Sequence, residues 1–499
     1  MAAQHALAIT EICREICLAS YYGPNEHWSG HRRQFPTLVA LARCNQAFFE
    51  PAIDLLWEKI ERMDILLALI PSLCQYSRGF FMIDPDSPTD WTRFDIYACR
   101  IRAIDYSHYQ SGYVNCRIYE EMLHYRPNGA PLLPSLRSVH WIHQEGRGIT
   151  QEILDEIVPF LSPSVRSLSF GAGSAFLDAH DFPNFGDLGG PSCDYDVLPS
   201  LCPDLESLVL YYPLPSSSLE FLGRLHTLRS LEIQGKHLMS QEWHASLLAL
   251  PALESLKIPS FFTQQFPNQV NAGFPSLQTL EVPQSDPPSI EKVLNLVPPQ
   301  NIRHLEVTLF DDEWRNFAKF TQSLRRHSHS ITQLHLIGDR YHLLPTRDER
   351  NEASLAVIEP LLDLRGLEDL ELQFGWSGEG PHDDGDGYPF VSQHLANRMG
   401  VAWPLLRSAT LYGSNLKFPL KSLAAFVSHC PHLKDISCYL AVESNLSEVV
   451  ASTPPSSRSL TSLFVRVRRV MDTRELRLAL QHLFPHCSVR TRTDDRRWP

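Results

Sequence analysis

The stretch "LPALESLKIPS" (residues 250–260) repeats along the chain with its letters changed: "LHTLRSLEIQG" precedes it and "FPSLQTLEVPQ" follows. The shared phrase is apolar-x-x-apolar-x-apolar. Twelve copies can be laid out, starting at Leu136, Val165, Leu205, Leu228, Leu253, Leu277, Ile302, Ile331, Leu367, Leu406, Leu433 and Leu460. The intervening positions carry the signal. Of those 36, only Val209 and Phe464 are large and apolar, although 43% of the chain is hydrophobic. The apolar-x-apolar end has period two, so each copy predicts a short strand with one buried face. "CRIRAIDYSHY" supplies a weaker, earlier copy through Ile101, Ile104 and Tyr106.

Eight of the eleven spacings between copies lie between 23 and 29 residues. The gaps hold amphipathic stretches such as "ITQEILDEIVPFL" and "TRELRLALQHL", so the unit is strand, turn, helix, turn. One such unit cannot bury its own apolar face, and stacking neighbours supplies the partner. The phrase resembles leucine-rich-repeat proteins over residues 91–490. That resemblance implies an α/β solenoid with parallel strands on a concave face and helices on a convex one. One departure stands out. The family's usual Asn or Cys after the strand is replaced by residues such as Pro213, Lys236 and Asp339, so irregular turns are expected.

Alternation along each strand sends the third and fifth phrase positions, and the residue after the phrase, to the concave side. The third position is Ser in seven copies. The candidate partner-binding residues are therefore Tyr211, Glu232, Lys257, Glu281, Glu306, His335, Glu371, Tyr412 and Tyr439. Tyrosine suits interface anchors, and the acidic middle suits a basic partner segment.

The solenoid phrase is absent from the first sixty residues, where three short helices are expected instead. Thr10 and Thr37 can cap the first two, and Pro51 suits the first position of a third. The opening Ile9-Thr10-Glu11-Ile12, the run "LVALARCNQAFFEPAIDLLWEKI" and its closing Leu56-Trp57 resemble an F-box. "DWTRFDIYACRIRAI" is similar to fungal proteins that join an F-box to irregular leucine-rich repeats. The resemblance implies docking on the Skp-type adaptor of a cullin-RING (SCF-type) ubiquitin ligase through Ile9, Ile12, Ile16, Leu38, Leu41, Phe48, Leu56 and Trp57. Thr10 stands where the family opens with proline, and "YYGPNEHWSGHRRQF" is an unusually long connection between the first two helices. The expected organisation is an F-box-like domain over residues 1–62, a linker helix and loop over 63–90, the solenoid over 91–490 and a tail over 491–499.

The formal charge of −13 argues against nucleic acid as partner. No apolar run is long enough to span a bilayer, and the opening residues lack the pattern of a signal peptide. Eleven scattered cysteines without a C-x-x-C point to reduced thiols in a cytoplasmic or nuclear protein. Cys13 and Cys17 with His27 and His31 touch on a zinc spacing, yet both cysteines fall in the apolar stripe of the first helix. Asp383, Asp384 and Asp386 sit in a Gly-rich loop, but Leu395 occupies the twelfth position that a calcium loop gives to Glu. The reading assigns no catalytic residue, metal ligand or cofactor. It expects an adaptor that holds a protein substrate for ubiquitination. A binding scaffold unconnected with ubiquitin is the alternative, and an enzyme with its site in the long insertions ranks third.

Overall fold

The computed structural model describes residues 10–22, 35–77, 80–84, 90–107, 117–143, 151–172, 195–211, 220–234, 246–261, 273–310, 314–342, 347–377, 391–413, 416–441, 446–455, 459–467 and 473–493. The chain divides into two compact units, Met1–Leu228 with Ile233–Gly235, and Arg229–Glu232 with Lys236–Pro499. Residues 173–194 and 378–390, the latter holding the Asp383–Asp386 group, lie outside the described residues, as do Ile9, His27 and His31.

The first unit opens with three helices, α1 (Thr10–Tyr22), α2 (Phe35–Cys44) and α3 (Gln46–Glu58). Their core is Cys13, Cys17, Tyr21, Leu38, Phe48, Ala52 and Leu55. Thr10 and Thr37 are helical rather than capping residues. Pro51 does not open the third helix but lies inside it. Asn45 caps that helix instead, its side chain accepting from the Ala47 N–H. A side-chain acceptor in extended backbone is the stronger start signal, and Pro51 costs only one backbone donor. Ile60 leaves the helix and, with Lys59, forms strand β1 (Lys59–Ile60), which pairs with β2 (Ala103–Ser107). The ladder thus begins before residue 91. The segment between holds a short helix, Met63–Leu67, and an antiparallel hairpin of Leu73–Ser77 with Phe80–Ile83. Beyond β2 the parallel ladder continues through β3 (Ser138–His143), β4 (Ser167–Ala172) and β5 (Ser207–Tyr211).

The second unit repeats the pattern. Its main strands are β6 (Ser230–Gln234, whose last two residues fall to the first unit), β7 (Ser255–Lys257), β8 (Thr279–Ser285), β9 (His304–Phe310), β10 (Gln333–His342), β11 (Asp369–Ser377), β12 (Ser408–Gly413), β13 (Asp435–Leu440), β14 (Ser462–Val467) and β15 (Ser488–Thr493), with two-residue strands Ser260–Phe261 beside β8 and Lys417–Phe418 beside β13. All pair in parallel and in register, Ser230 opposite Ser255, then Thr279, His304, Gln333, Asp369, Ser408, Asp435, Ser462 and Ser488. Every one of the twelve phrases forms a strand, and Leu253, Leu256 and Ile258 are fully buried with their equivalents. Helices such as Pro287–Leu296, Gln393–Ala402 and Leu420–His429 pack over the buried rows. This is the α/β leucine-rich-repeat solenoid architecture.

Two backbone-level devices hold repeat to repeat. The carbonyl of the phrase's second position accepts two N–H groups from the next copy. Arg229 O receives Glu254 N at 2.7 Å and Ser255 N at 2.9 Å, and Glu254 O receives Gln278 N and Thr279 N. A polar side chain just before the phrase also donates to a carbonyl of the preceding repeat. Ser164 Oγ reaches Leu136 O at 2.7 Å, Thr227 Oγ1 reaches Leu205 O at 2.9 Å, Ser276 Oγ reaches Pro251 O at 2.8 Å and Ser330 Oγ reaches Pro299 O at 2.8 Å. Asn301 Nδ2 donates to Pro275 O in the same way. These donors satisfy turn carbonyls that an Asn ladder would otherwise serve.

His327 is a buried titratable group in the second unit, its ring Nδ1–H donating to Pro299 O at 3.2 Å. Burial pushes its pKa below the ordinary value, against the opposing hydrogen bonds to the backbone of Pro299 and Leu294, and the Arg326 charge reinforces burial. Unfolding returns the imidazole to about 6.5. The unfolded chain then takes up a proton that the folded chain refuses, so stability is full above that pH and falls as the pH drops through the depressed folded value. Thermal melts between pH 7 and pH 5 should show His327→Asn, which keeps a donor for Pro299, losing less stability on acidification than the native chain. Equal losses would contradict this account.

Gly400 lets helix Gln393–Ala402 approach helix Leu420–His429. A Cβ there would sit 2.6 Å from His429 Cβ and 2.9 Å from Phe426 O. Since a backbone atom cannot swing aside, Gly400→Val is expected to destabilise the second unit by about 1–3 kcal/mol, measured by denaturant unfolding.

Candidate functional site

The face of each sheet opposite the helices carries the polar row that the phrase alternation assigns to it. In the second unit the fifth-position residues stand directly side by side: Glu232, Lys257, Glu281, Glu306, His335 and Glu371. Period two in the strand and exact registration between strands together build this row.

The row is electrostatically organised. Lys257 Nζ lies 3.1 Å from Glu281 Oε2 and 3.6 Å from Glu232 Oε1. Burial alone would lower the Lys257 pKa, but the hydrogen bond to Glu281 and the charges of Glu232 and Glu281 outweigh it and hold the ammonium above its ordinary value. Glu281 and Glu306 face each other, a like-charge pair that costs energy unless a donor intervenes. His304, from the neighbouring polar row, stands between them, with Nε2 at 3.9 Å from each carboxylate. His335 extends the chain, with Nδ1 3.4 Å from Glu306 Oε2 and Nε2 3.4 Å from Asp369 Oδ2. The hydrogen bond to Asp369 raises the His335 pKa against the opposing effect of burial, and the same bond lowers that of Asp369. Gln373 donates to Glu371.

Further along, the row changes character. Thr410, Ser437, Phe464 and Arg490 continue it in β12–β15, and Arg466 and Arg492 pair in the adjacent outward row. The Arg466 guanidinium lies over the Phe464 ring at 5.7 Å. The open face of the second unit is therefore acidic over β6–β11 and basic toward β15. The alternation rule reached the acidic part. It missed Asp369 and His304 as members of the cluster, because linear spacing does not reveal cross-strand neighbours, and it missed the arginines of β15, whose "SVRTRT" lacks the leucines of the phrase.

The tyrosines distribute differently. Tyr211 belongs to the first unit, half-buried, its ring edge-on to His140 at 6.0 Å. There His140 shares an Nδ1 contact of 2.9 Å with Ser169 Oγ, and burial lowers its pKa, the Lys59 charge adding to that effect and Asp105 opposing it. Tyr439 is half-buried in β13. Tyr412 has its backbone opposite Gln373, and its side chain lies outside the described set.

In the helical head, Leu38 and Phe48 are buried, and Ile16, Leu41 and Leu56 are partly buried against the same core. The Trp57 ring packs tilted against Tyr97, centroids 4.4 Å apart, and Arg100 pairs with Glu50 and Asp54 of α3. These contacts seat α3 on the helix Thr92–Ala98. Ile12 is exposed, as are Phe35, Val39 and Phe49. Cys13 and Cys17 are core residues, and burial raises the Cys17 pKa. Cys430 and Cys438 are pushed up to about 12 by burial, which leaves them as unreactive thiols. Among the described residues, no helix is long and apolar enough to cross a membrane.

The charged row contributes little to stability. Its members are partly solvated, and exposed ion pairs give at most about 1 kcal/mol. Lys257→Ala should thus shift the unfolding free energy by less than about 1 kcal/mol, whereas Leu256→Ala, one residue away and fully buried, should cost about 2–5 kcal/mol. Denaturant titrations of both variants test this, and comparable losses would mean that the row holds the sheet together.

No protein-family model matches the chain, and no curated protein matches it. Solved structures similar to it include a leucine-rich-repeat protein of Leptospira interrogans, 12% identical, covering 80% of this chain and 92% of that one with a TM-score of 0.37. A chain of the yeast Rad7 and Elc1 complex is 13% identical, with coverages of 79% and 81% and a TM-score of 0.36. The plant peptide hormone receptor RGFR1, in complex with RGF2, is 11% identical, with coverages of 81% and 72% and a TM-score of 0.28.

Proposed function

We propose that this chain is a non-catalytic substrate-recognition adaptor of an SCF-type (cullin-RING) ubiquitin ligase. In this reading the head, residues 1–62, docks on the Skp-type adaptor, and the open faces of the repeats bind a protein substrate in the cytoplasm or nucleus. The observation that carries it is the head itself. Three short helices whose sequence resembles an F-box close their own small core and still leave Ile12, Val39 and Phe49 in water. Exposed apolar side chains on so small a domain are natural docking anchors. Leu38 and Phe48 then shape the head from within, while the partly buried Ile16, Leu41 and Leu56 border the contact. Trp57 would act by seating α3.

The repeats supply the second surface. A partner segment with basic residues toward β6–β11 and acidic residues toward β15 matches the charges of Glu232, Glu281, Glu306 and Glu371 at one end and of Arg466, Arg490 and Arg492 at the other. In the second unit Tyr439 would be an aromatic anchor of this face, and Lys257 and His335 would set its register; Tyr211 would serve the first unit's own open face. One chain carrying both surfaces raises the effective concentration of substrate near the ligase.

The test is capture of the purified Skp-type adaptor by the full chain. Val39→Asp and Phe49→Asp, both on exposed positions, should each weaken capture at least about 30-fold while leaving the melting temperature unchanged. Undiminished capture in the double variant, or no capture by the native chain, would overturn the reading and leave the head as a cap for the repeats.

A further inference from the structure

We propose that His304, Glu306 and His335 form a zinc-binding site on the open face of the second unit. His304 and Glu306 are two residues apart in β9 and so share a face, and the register sets His335 of β10 directly opposite Glu306. One ligand atom from each lies within 4.8 Å of the other two. His335 Nδ1 is 3.4 Å and His304 Nε2 is 3.9 Å from the same oxygen, Glu306 Oε2. Nitrogen and oxygen ligands at about 2.0–2.2 Å from a tetrahedral ion stand roughly 3.3–3.6 Å apart. Small rotations of the two rings, already edge-to-face at 5.4 Å, bring the three atoms to that spacing.

The outer contacts are those a metal site needs. In each ring the nitrogen turned away from the cluster has its own acceptor. His335 Nε2 faces Asp369 Oδ2 at 3.4 Å, and His304 Nδ1 faces Gln333 Oε1 at 2.9 Å. A proton held on those outer nitrogens leaves the inner lone pairs directed at one point, the arrangement in which a carboxylate or amide orients a ligating histidine. The donor set also selects the ion. Two imidazoles and one carboxylate suit zinc, whereas calcium and magnesium require oxygen ligands throughout. A dication relieves the crowding of Glu281, Glu306, Asp369 and Glu371 around this point. Three protein ligands leave a fourth position for water or for a side chain of a protein docked on the open face. The site does not depend on the ubiquitin reading.

The experiment is calorimetric titration of the full chain with Zn²⁺ alone, after removal of bound metal by chelator. The native chain should show a saturable site that His304→Ala and His335→Ala each weaken more than about 100-fold, and that Asp369→Asn weakens about 10-fold without removing it. Co²⁺ in the same site should give the visible absorption of a tetrahedral ion, absent from both histidine variants. Melting curves of the metal-free variants check that each folds. Should a histidine variant fail to fold, Glu306→Gln, a half-exposed position, carries the same comparison. Absence of saturable zinc binding by the native chain, or isotherms unchanged by the substitutions, would overturn the proposal.

Discussion

The inward leucine pair of each repeat is the constraint from which the rest follows. Residues such as Leu256 and Ile258 have no partner within their own unit of some 25 residues. Leu256 is buried because Leu231 on one side and Leu280 on the other stand in register with it at the same height. Burial at about 25 cal/mol per Å² of apolar surface rewards only that registration, because a slip by one residue would place Ser255 and Lys257 inward. The core thus fixes the register, and the register fixes which polar side chains meet on the other face. Glu306 stands opposite His335 because Leu305 must stand opposite Leu334.

The phrase made the strands legible. Leucines spaced for a half-buried strand, with polar letters between them, describe a surface whose two sides have different solvents, and all twelve copies became strands. What the phrase did not convey was how its turns are closed. The family's Asn position is empty of Asn here, which suggested irregular turns. The hydroxyls of Ser164, Thr227, Ser276 and Ser330, one residue before each phrase, do a related task from a different position. They look like ordinary surface residues in the sequence, because the carbonyls they reach belong to the preceding repeat. Strand β15 was illegible for a different reason. Its "SVRTRT" keeps only the alternation and, in place of the buried leucine that its partner strand carries at Leu463, presents Val489.

In the head, three helices and their apolar stripes were readable, but their boundaries were not. Thr10, Thr37 and Pro51 are all residues that favour helix starts, and none of them caps a helix here. Propensity gives a choice of starts, and packing selects among them: Asn45 caps α3 because that start places Phe48, Ala52 and Leu55 together on the core side. Ile60 fits the helical stripe by spacing, yet it pairs with Ile104 as the first rung of the sheet. A residue at the junction of two elements satisfies either periodicity, and the available hydrogen-bond partner decides.

The open face shows what the same logic permits at the functional level. Parallel registration stacks like on like, so a repeat protein with Glu at the fifth position in successive copies would confront carboxylate with carboxylate along its length. Glu281 and Glu306 meet in that way. The face tolerates them because Lys257 flanks one, His335 flanks the other, and His304 reaches between both. Each of these three residues is itself a fifth- or third-position residue, drawn from the same outward rows. Polar variation between copies is therefore more than drift on a solvated surface. Substituting one letter of the phrase changes its neighbours on two adjacent strands at once, and a short run of such changes suffices to turn a uniform ladder into a site with defined charge and geometry.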